Sequence, residues 1–248
     1  MLNITILGCG ESLGTPRIGC DCSVCISNSN YNKRTRSAIF IESEDAKILV
    51  DFGFDIKNQL IRENISEIDA AILSHDHADH VSGIDDLRVF SFIQREALNI
   101  YTDNATAKKI EERYNHLFSS KQLILKPVDF YEKFYVKNTE VQLFKQDHGD
   151  IASLGVKIGN FVYSCDVADF FAESKDYLFG LDVWIIDCKE YSSNYRHAGL
   201  DRIMEWNKQF KPKQIFLTNL SHKLDYYELK ANLPPHITPL HDGLRFKV

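Results

Sequence analysis

Asp69-Ala70-Ala71-Ile72-Leu73-Ser74-His75-Asp76-His77-Ala78-Asp79-His80-Val81-Ser82-Gly83-Ile84-Asp85-Asp86-Leu87-Arg88 decides the reading of this chain. Residues 75–80 place three imidazoles and two carboxylates within six positions, the donor types that hold zinc, manganese or iron. The apolar run Asp69–Ser74 suits a buried strand, and Val81–Arg88 reads as the start of a helix. A strand ending in a His/Asp loop that feeds a helix delivers its donors to the C-terminal edge of a sheet, where open α/β sheets carry their sites.

Working outward, the other strand-like runs are Asn3–Leu7, Ser37–Ile41, Lys47–Asp51, Asn99–Tyr101, Glu140–Gln146, Ser153–Ile158, Asn160–Cys165, Val183–Asp187 and Gln214–Thr218. Helical spacing covers Ala105–Leu117 and Leu200–Phe210, and a further helix begins at Tyr226. No repeat, low-complexity tract or Pro/Gly-rich linker divides the 248 residues, so a single domain over 1–248 is expected. Strands running into a helix-and-strand region in both halves predict an α/β protein with two sheets face to face and helices outside.

The chain is 44% hydrophobic, enough for a sizeable core, yet no run is long enough to span a membrane. Its first residues lack the basic and apolar regions of a signal peptide, and a cytoplasmic location is expected. A net charge of −6 argues against binding long nucleic acid. A small phosphorylated substrate stays open, because bound cations reverse the local sign. Lys33-Arg34-Thr35-Arg36 is the one tight basic cluster and reads as a solvated turn sooner than a phosphate clamp.

Cys20, Cys22 and Cys25 offer three thiolates within six residues, a set that needs one further ligand to close a tetrahedral site. Cys9, Cys165 and Cys188 end apolar runs and read as small buried hydrophobes. His148, Asp166 and His197 stand at strand ends or just before a helix, where a two-metal site would draw its donors.

The pattern His75-x-His77-x-Asp79-His80-x-x-Gly83, with His148 and Asp166 after it, resembles the metallo-β-lactamase superfamily. More narrowly the chain resembles the PhnP-like cyclic phosphodiesterases, through Gly8–Pro16, the Cys20/Cys22/Cys25 loop, Gly83–Arg88 and Leu217–Asp225. That resemblance implies a four-layer αββα sandwich with two divalent metals, zinc or manganese, at one edge, and a homodimer. It implies that His75, His77 and His148 bind the first metal, Asp79 and His80 the second, and that Asp166 bridges them. Where the family has a further histidine ligand, this chain has Asn219, a weaker donor, so a weak second site is expected. It also implies that His222 completes a structural zinc site with Cys20, Cys22 and Cys25. Asp79 and His197 would be the catalytic pair: one orients a metal-bound hydroxide, the other assists the leaving oxygen. The activity implied is hydrolysis of a small phosphodiester, a cyclic phosphate or nucleotide-like compound. The alternatives are a ribonuclease Z-like enzyme, another ester or thioester hydrolase, or a zinc-stabilised binding protein. The ribonuclease Z reading lacks the basic, Gly-rich tRNA-gripping arm that those enzymes carry.

Overall fold

In a computed structural model, which describes residues 1–248, the strands of highest apolar content sit at the centre of two sheets. The first sheet takes β1 (Asn3–Gly8), β2 (Ala38–Glu42), β3 (Lys47–Val50), β4 (Ala70–Ile72), β5 (Leu98–Thr102) and β6 (Leu123–Pro127) in sequence order. β1 to β3 are antiparallel, and β3 to β6 are parallel. Parallel neighbours need crossovers. These are α1 (Ile56–Arg62), the pair α2 (Ala78–Val81) and α3 (Arg88–Gln94), and α4 (Asn104–Ser119).

The second sheet begins with β7 (Lys133–Val136), β8 (Thr139–His148), β9 (Ile151–Ile158) and β10 (Phe161–Ser164), paired antiparallel. The short β11 (Asp169–Phe170) pairs with the free side of β8. β12 (Val183–Asp187), β13 (Gln214–Thr218) and β14 (Ile237–Pro239) then continue in parallel from β10. α5 (Leu200–Phe210) and α6 (Tyr226–Ala231) make the crossovers, and β15 (Arg245–Lys247) returns to the first sheet beside β1.

Alternation along the strands explains the layers. In β3, Ile48 and Val50 face the second sheet while Leu49 faces the helices. The inner cluster joins Ile4, Ile41, Ile72, Leu143, Val156 and Ile185 from both sheets. Phe52, Ile56, Phe90 and Ile110 fill the space under α1 to α4. Trp184, Ile203, Trp206 and Phe210 fill it under α5, and the buried Trp184 Nε1 donates to Ser164 Oγ at 3.1 Å. Burying each such side chain is worth roughly 1.5–3 kcal/mol. The result is the expected αββα sandwich. No helix is long and apolar enough to cross a membrane.

The expected helix from Val81 to Arg88 is broken. One turn of α2 precedes a 3-10 turn at Ile84–Leu87, and α3 begins only at Arg88. Gly83 stands at the break, where an added Cβ would overlap the carbonyl oxygen of Gly53 and lie 2.8 Å from that of Phe52, so only glycine fits. The basic cluster is not a solvated turn. Arg34 is 2% exposed and donates to the carbonyls of Tyr31, Ser221 and Leu224 and to Asn32 Oδ1, while Arg36 pairs with Asp55 at 2.9 Å.

Candidate metal centre

The strand ends at one edge of the sandwich carry the site. β3 leads into Asp51, β4 into His75 and β10 into Asp166; β8 ends on His148, β12 on Asp187, and β13 leads into Asn219. Asp51, Asp166 and Asn219 have φ of 62°, 51° and 59°. This left-handed conformation is tolerated by Asp and Asn and turns each side chain off its strand axis.

One nitrogen each of His75, His77 and His148 and an oxygen of Asp166 lie within 4.8 Å of one another. Asp166 Oδ2 is 3.6 Å from His75 Nε2, 3.4 Å from His148 Nε2 and 3.5 Å from His80 Nε2, and Asp79 Oδ2 is 3.4 Å from that same His80 atom. One carboxylate oxygen thus faces two neighbouring donor sets. Three imidazoles and a carboxylate converging on one point fit a divalent cation, and the second set adds His80 and Asp79. Burial holds His75 and His77 below the usual imidazole range, so both rings stay neutral and able to donate. His80 is driven the other way: against its burial, Asp51, Asp79 and Asp166 push it well up.

Asp51 was missed by sequence reasoning, although a carboxylate closing the apolar run Lys47–Val50 was a signal for it. Its oxygens accept from Ser74 N (2.8 Å), Ser74 Oγ (3.0 Å) and His80 Nδ1 (2.8 Å). Fixing Nδ1 turns Nε2 of His80 toward the site. Asn219 bridges two carboxylates. Its Nδ2 donates to Asp166 Oδ1 at 2.6 Å and to Asp187 Oδ1 at 3.0 Å, so the amide ties the two carboxylates together.

His197 is 8% exposed, not a surface residue, and its Nδ1 donates to Asp187 Oδ2 at 2.8 Å. Against its burial, the Asp187 carboxylate raises its pKa and favours the imidazolium. Asp187 also accepts from the Val167 N–H at 3.1 Å. Above this floor lies an open cavity of about 410 Å³, bounded by His77, Asp79, His148, Lys189, Tyr195 and His197 among others.

Away from this centre, Cys20, Cys22, Cys25 and His222 bring their donor atoms within 4.8 Å of one another. His222 Nδ1 lies 3.4 Å from Sγ of both Cys20 and Cys22. The set fits a closed tetrahedral cation site. Cys9, Cys165 and Cys188 are fully buried, as expected, whereas His116 is exposed and His241 packs against Tyr31.

Residues 46–218 match the family model of the beta-lactamase superfamily domain. The chain belongs to the metallo-β-lactamase superfamily. Within that superfamily it is PhnP-like: a solved diphosphatase of the PhnP family superposes with a TM-score of 0.94 at 29% identity, over 99% of this chain and 96% of that one. The short form of human tRNase Z shares the fold, with a TM-score of 0.71 at 16% identity over 99% and 98% of the two chains. A Porphyromonas gingivalis (strain ATCC BAA-308 / W83) protein named octanoyltransferase is 32% identical over 96% of this chain. The chain spans about half the length of that curated relative, 50%. Superfamily membership and the converging His/Asp donors support a metal-dependent hydrolase.

Proposed function

We propose that this metallo-β-lactamase-fold protein hydrolyses a P–O bond in a small phosphodiester or diphosphate. The observation that carries the reading is the pairing of two donor sets through Asp166 Oδ2 on the floor of a polar cavity that also holds His197. His75, His77, His148 and Asp166 would hold one cation, and Asp79, His80 and Asp166 a second, weaker one, zinc or manganese. Cys20, Cys22, Cys25 and His222 would hold a structural zinc. When bound, the active-site cations supply a water of near-neutral pKa and offset phosphoryl charge.

The chain's own groups do the rest. Asp79 orients the attacking water. His197 spends Nδ1 on Asp187, which leaves Nε2 to deliver a proton to the departing oxygen. Asp187 keeps that ring protonated and fixed, and Asn219 holds Asp187 against Asp166. A net charge of −6 suits a small substrate better than long nucleic acid. The PhnP-family neighbour is a diphosphatase by its description, which extends the candidate bond from diester to diphosphate.

A second reading is hydrolysis of an acyl ester or thioester, which the name of the octanoyltransferase relative favours. Chelator-stripped protein, resupplied with zinc or manganese, separates the two when given bis(p-nitrophenyl) phosphate, cyclic nucleotides and acyl thioesters. Phosphate-ester turnover that falls roughly a hundredfold or more in Asp79→Ala supports the first reading. Turnover of thioesters alone refutes it.

A further inference from the structure

We propose that Lys189 forms a second anion subsite in the cavity, so that the preferred substrate carries two linked phosphoryl groups. This rests on the phosphoryl-hydrolase reading above. Lys189 lies two residues beyond Asp187, on the same wall as His197, and lines the cavity with a side chain 22% exposed. Its ammonium makes no hydrogen bond. The closest acid is Glu11, whose Oε2 is 3.7 Å from Nζ, too far for one. Glu11 is itself 2% exposed and accepts from Arg17 Nε at 2.9 Å through its other oxygen. One buried carboxylate is thus shared by two cations, and Lys189 keeps unmatched charge.

An ammonium has three donors and no acceptor. Lys189 presents those donors at the cavity wall with no partner inside hydrogen-bond range, where an anionic ligand can meet them. The neighbouring cation, Arg196, offers no such opportunity: it pairs with Asp150 and lies over the Tyr195 ring, 5.0 Å from its centroid. Lys189, paired only loosely with Glu11, is therefore the cavity-lining cation beside the proton donor whose donors are unmet.

This placement suits an anionic leaving group. Water adds to one phosphorus, the bridging P–O bond breaks with its electron pair on the departing phosphate, and His197 protonates that oxygen. The proton released by the water returns the ring to its charged form through solvent. An alkoxide leaving group would need His197 but not Lys189.

The test is calorimetric titration of the metal-loaded protein, in excess metal, with inorganic pyrophosphate and with orthophosphate. Wild type is expected to bind pyrophosphate at least about tenfold more tightly. Lys189→Met, which keeps the aliphatic stem, should cut the pyrophosphate-to-orthophosphate affinity ratio roughly 10- to 100-fold, as loss of a charge-assisted bond does. Lys189→Arg should keep most of it. A ratio unchanged in Lys189→Met, or no preference in wild type, overturns the subsite. Turnover of bis(p-nitrophenyl) phosphate by wild type tests the underlying reading separately, because it needs no second phosphoryl group.

Discussion

Replacing Arg34 by Met removes a buried guanidinium while keeping its aliphatic stem. Arg34 joins the segment after the cysteine loop to the segment that carries His222, through Ser221 O at 3.0 Å and Leu224 O at 2.7 Å. Asn32 Oδ1, at 3.0 Å, is a third buried acceptor. Leu224 O would lose its donor, at a cost of about 1–3 kcal/mol, whereas Ser221 O keeps the Leu224 N–H at 3.2 Å and Asn32 Oδ1 the Tyr226 N–H at 3.0 Å, so each of those two lost bonds is worth only about 1 kcal/mol. Part of that is offset, because burial lowers the pKa of Arg34 and the variant no longer hides a charge from water. A net loss of about 2 kcal/mol remains, which for a chain of this size lowers Tm by roughly 4–8 °C. The loop holding Cys20, Cys22 and Cys25 would also part from His222, and bound zinc should fall with Tm. Differential scanning calorimetry and metal analysis of the purified variant read both quantities. A variant melting within about 2 °C of wild type with full zinc content would refute the argument that Arg34 is the clasp.

Other expected outcomes follow from the same geometry. Asp187→Asn should lower kcat about a hundredfold with a smaller change in KM, since His197 loses the carboxylate charge that holds its ring protonated and in place. Because Asp187 raises the pKa of His197, and the acid is lost as pH rises through that pKa, the alkaline limb of kcat should move to lower pH in this variant; an unmoved limb would contradict it. Gly53→Ala should displace the 75–80 loop, because a Cβ there overlaps the carbonyl oxygen of Asp79. Active-site metal content and Tm should both drop, by about 1–3 kcal/mol in stability. Zinc affinity at the cysteine site should rise with pH. The Cys22 thiol is lowered to about 6 by the Cys25 N–H and the His222 ring, while burial pushes Cys25 up to about 11. Binding needs both deprotonated, so between those values uptake expels at least the Cys25 proton and affinity climbs about tenfold per pH unit. Competition against a chromophoric chelator at several pH values would show this, and a flat profile would contradict it.

The sequence announced the centre of each sheet and little of the edges. β3, β4, β10 and β12 are buried on both faces and read as unbroken apolar runs. β6 has one fully buried residue in five, and β15 none in three, so neither shows the alternation that marks a strand. β14 escaped because it is three residues with Pro239 at its end. α1 is seven residues long with no acid in its first turn, so only Asp55 at the N-cap position marked its start. In the site, His75, His77 and His80 were legible because metal-type donors crowd into six positions, and His148, Asp166 and His197 because they stand at strand ends or just before a helix. Asp51 and Lys189 were not, since a single carboxylate or ammonium has meaning only once another strand brings its partner alongside. Asn219 was legible as an amide in a histidine's place; its hydrogen bonds to Asp166 and Asp187 show only in the fold.

The cysteine and histidine donors of the second cluster are separated by about 200 residues of chain, as Cys20 and His222 illustrate. During synthesis the thiols leave the ribosome long before the imidazole exists. At about 5–20 residues per second the interval is roughly 10–40 s. For that time the thiols have no fourth partner. Closure of the cluster thus comes only after β12, α5 and β13 have been made. Metal supply once His222 has emerged, more than before it, would decide how much of the newly made chain reaches its locked form.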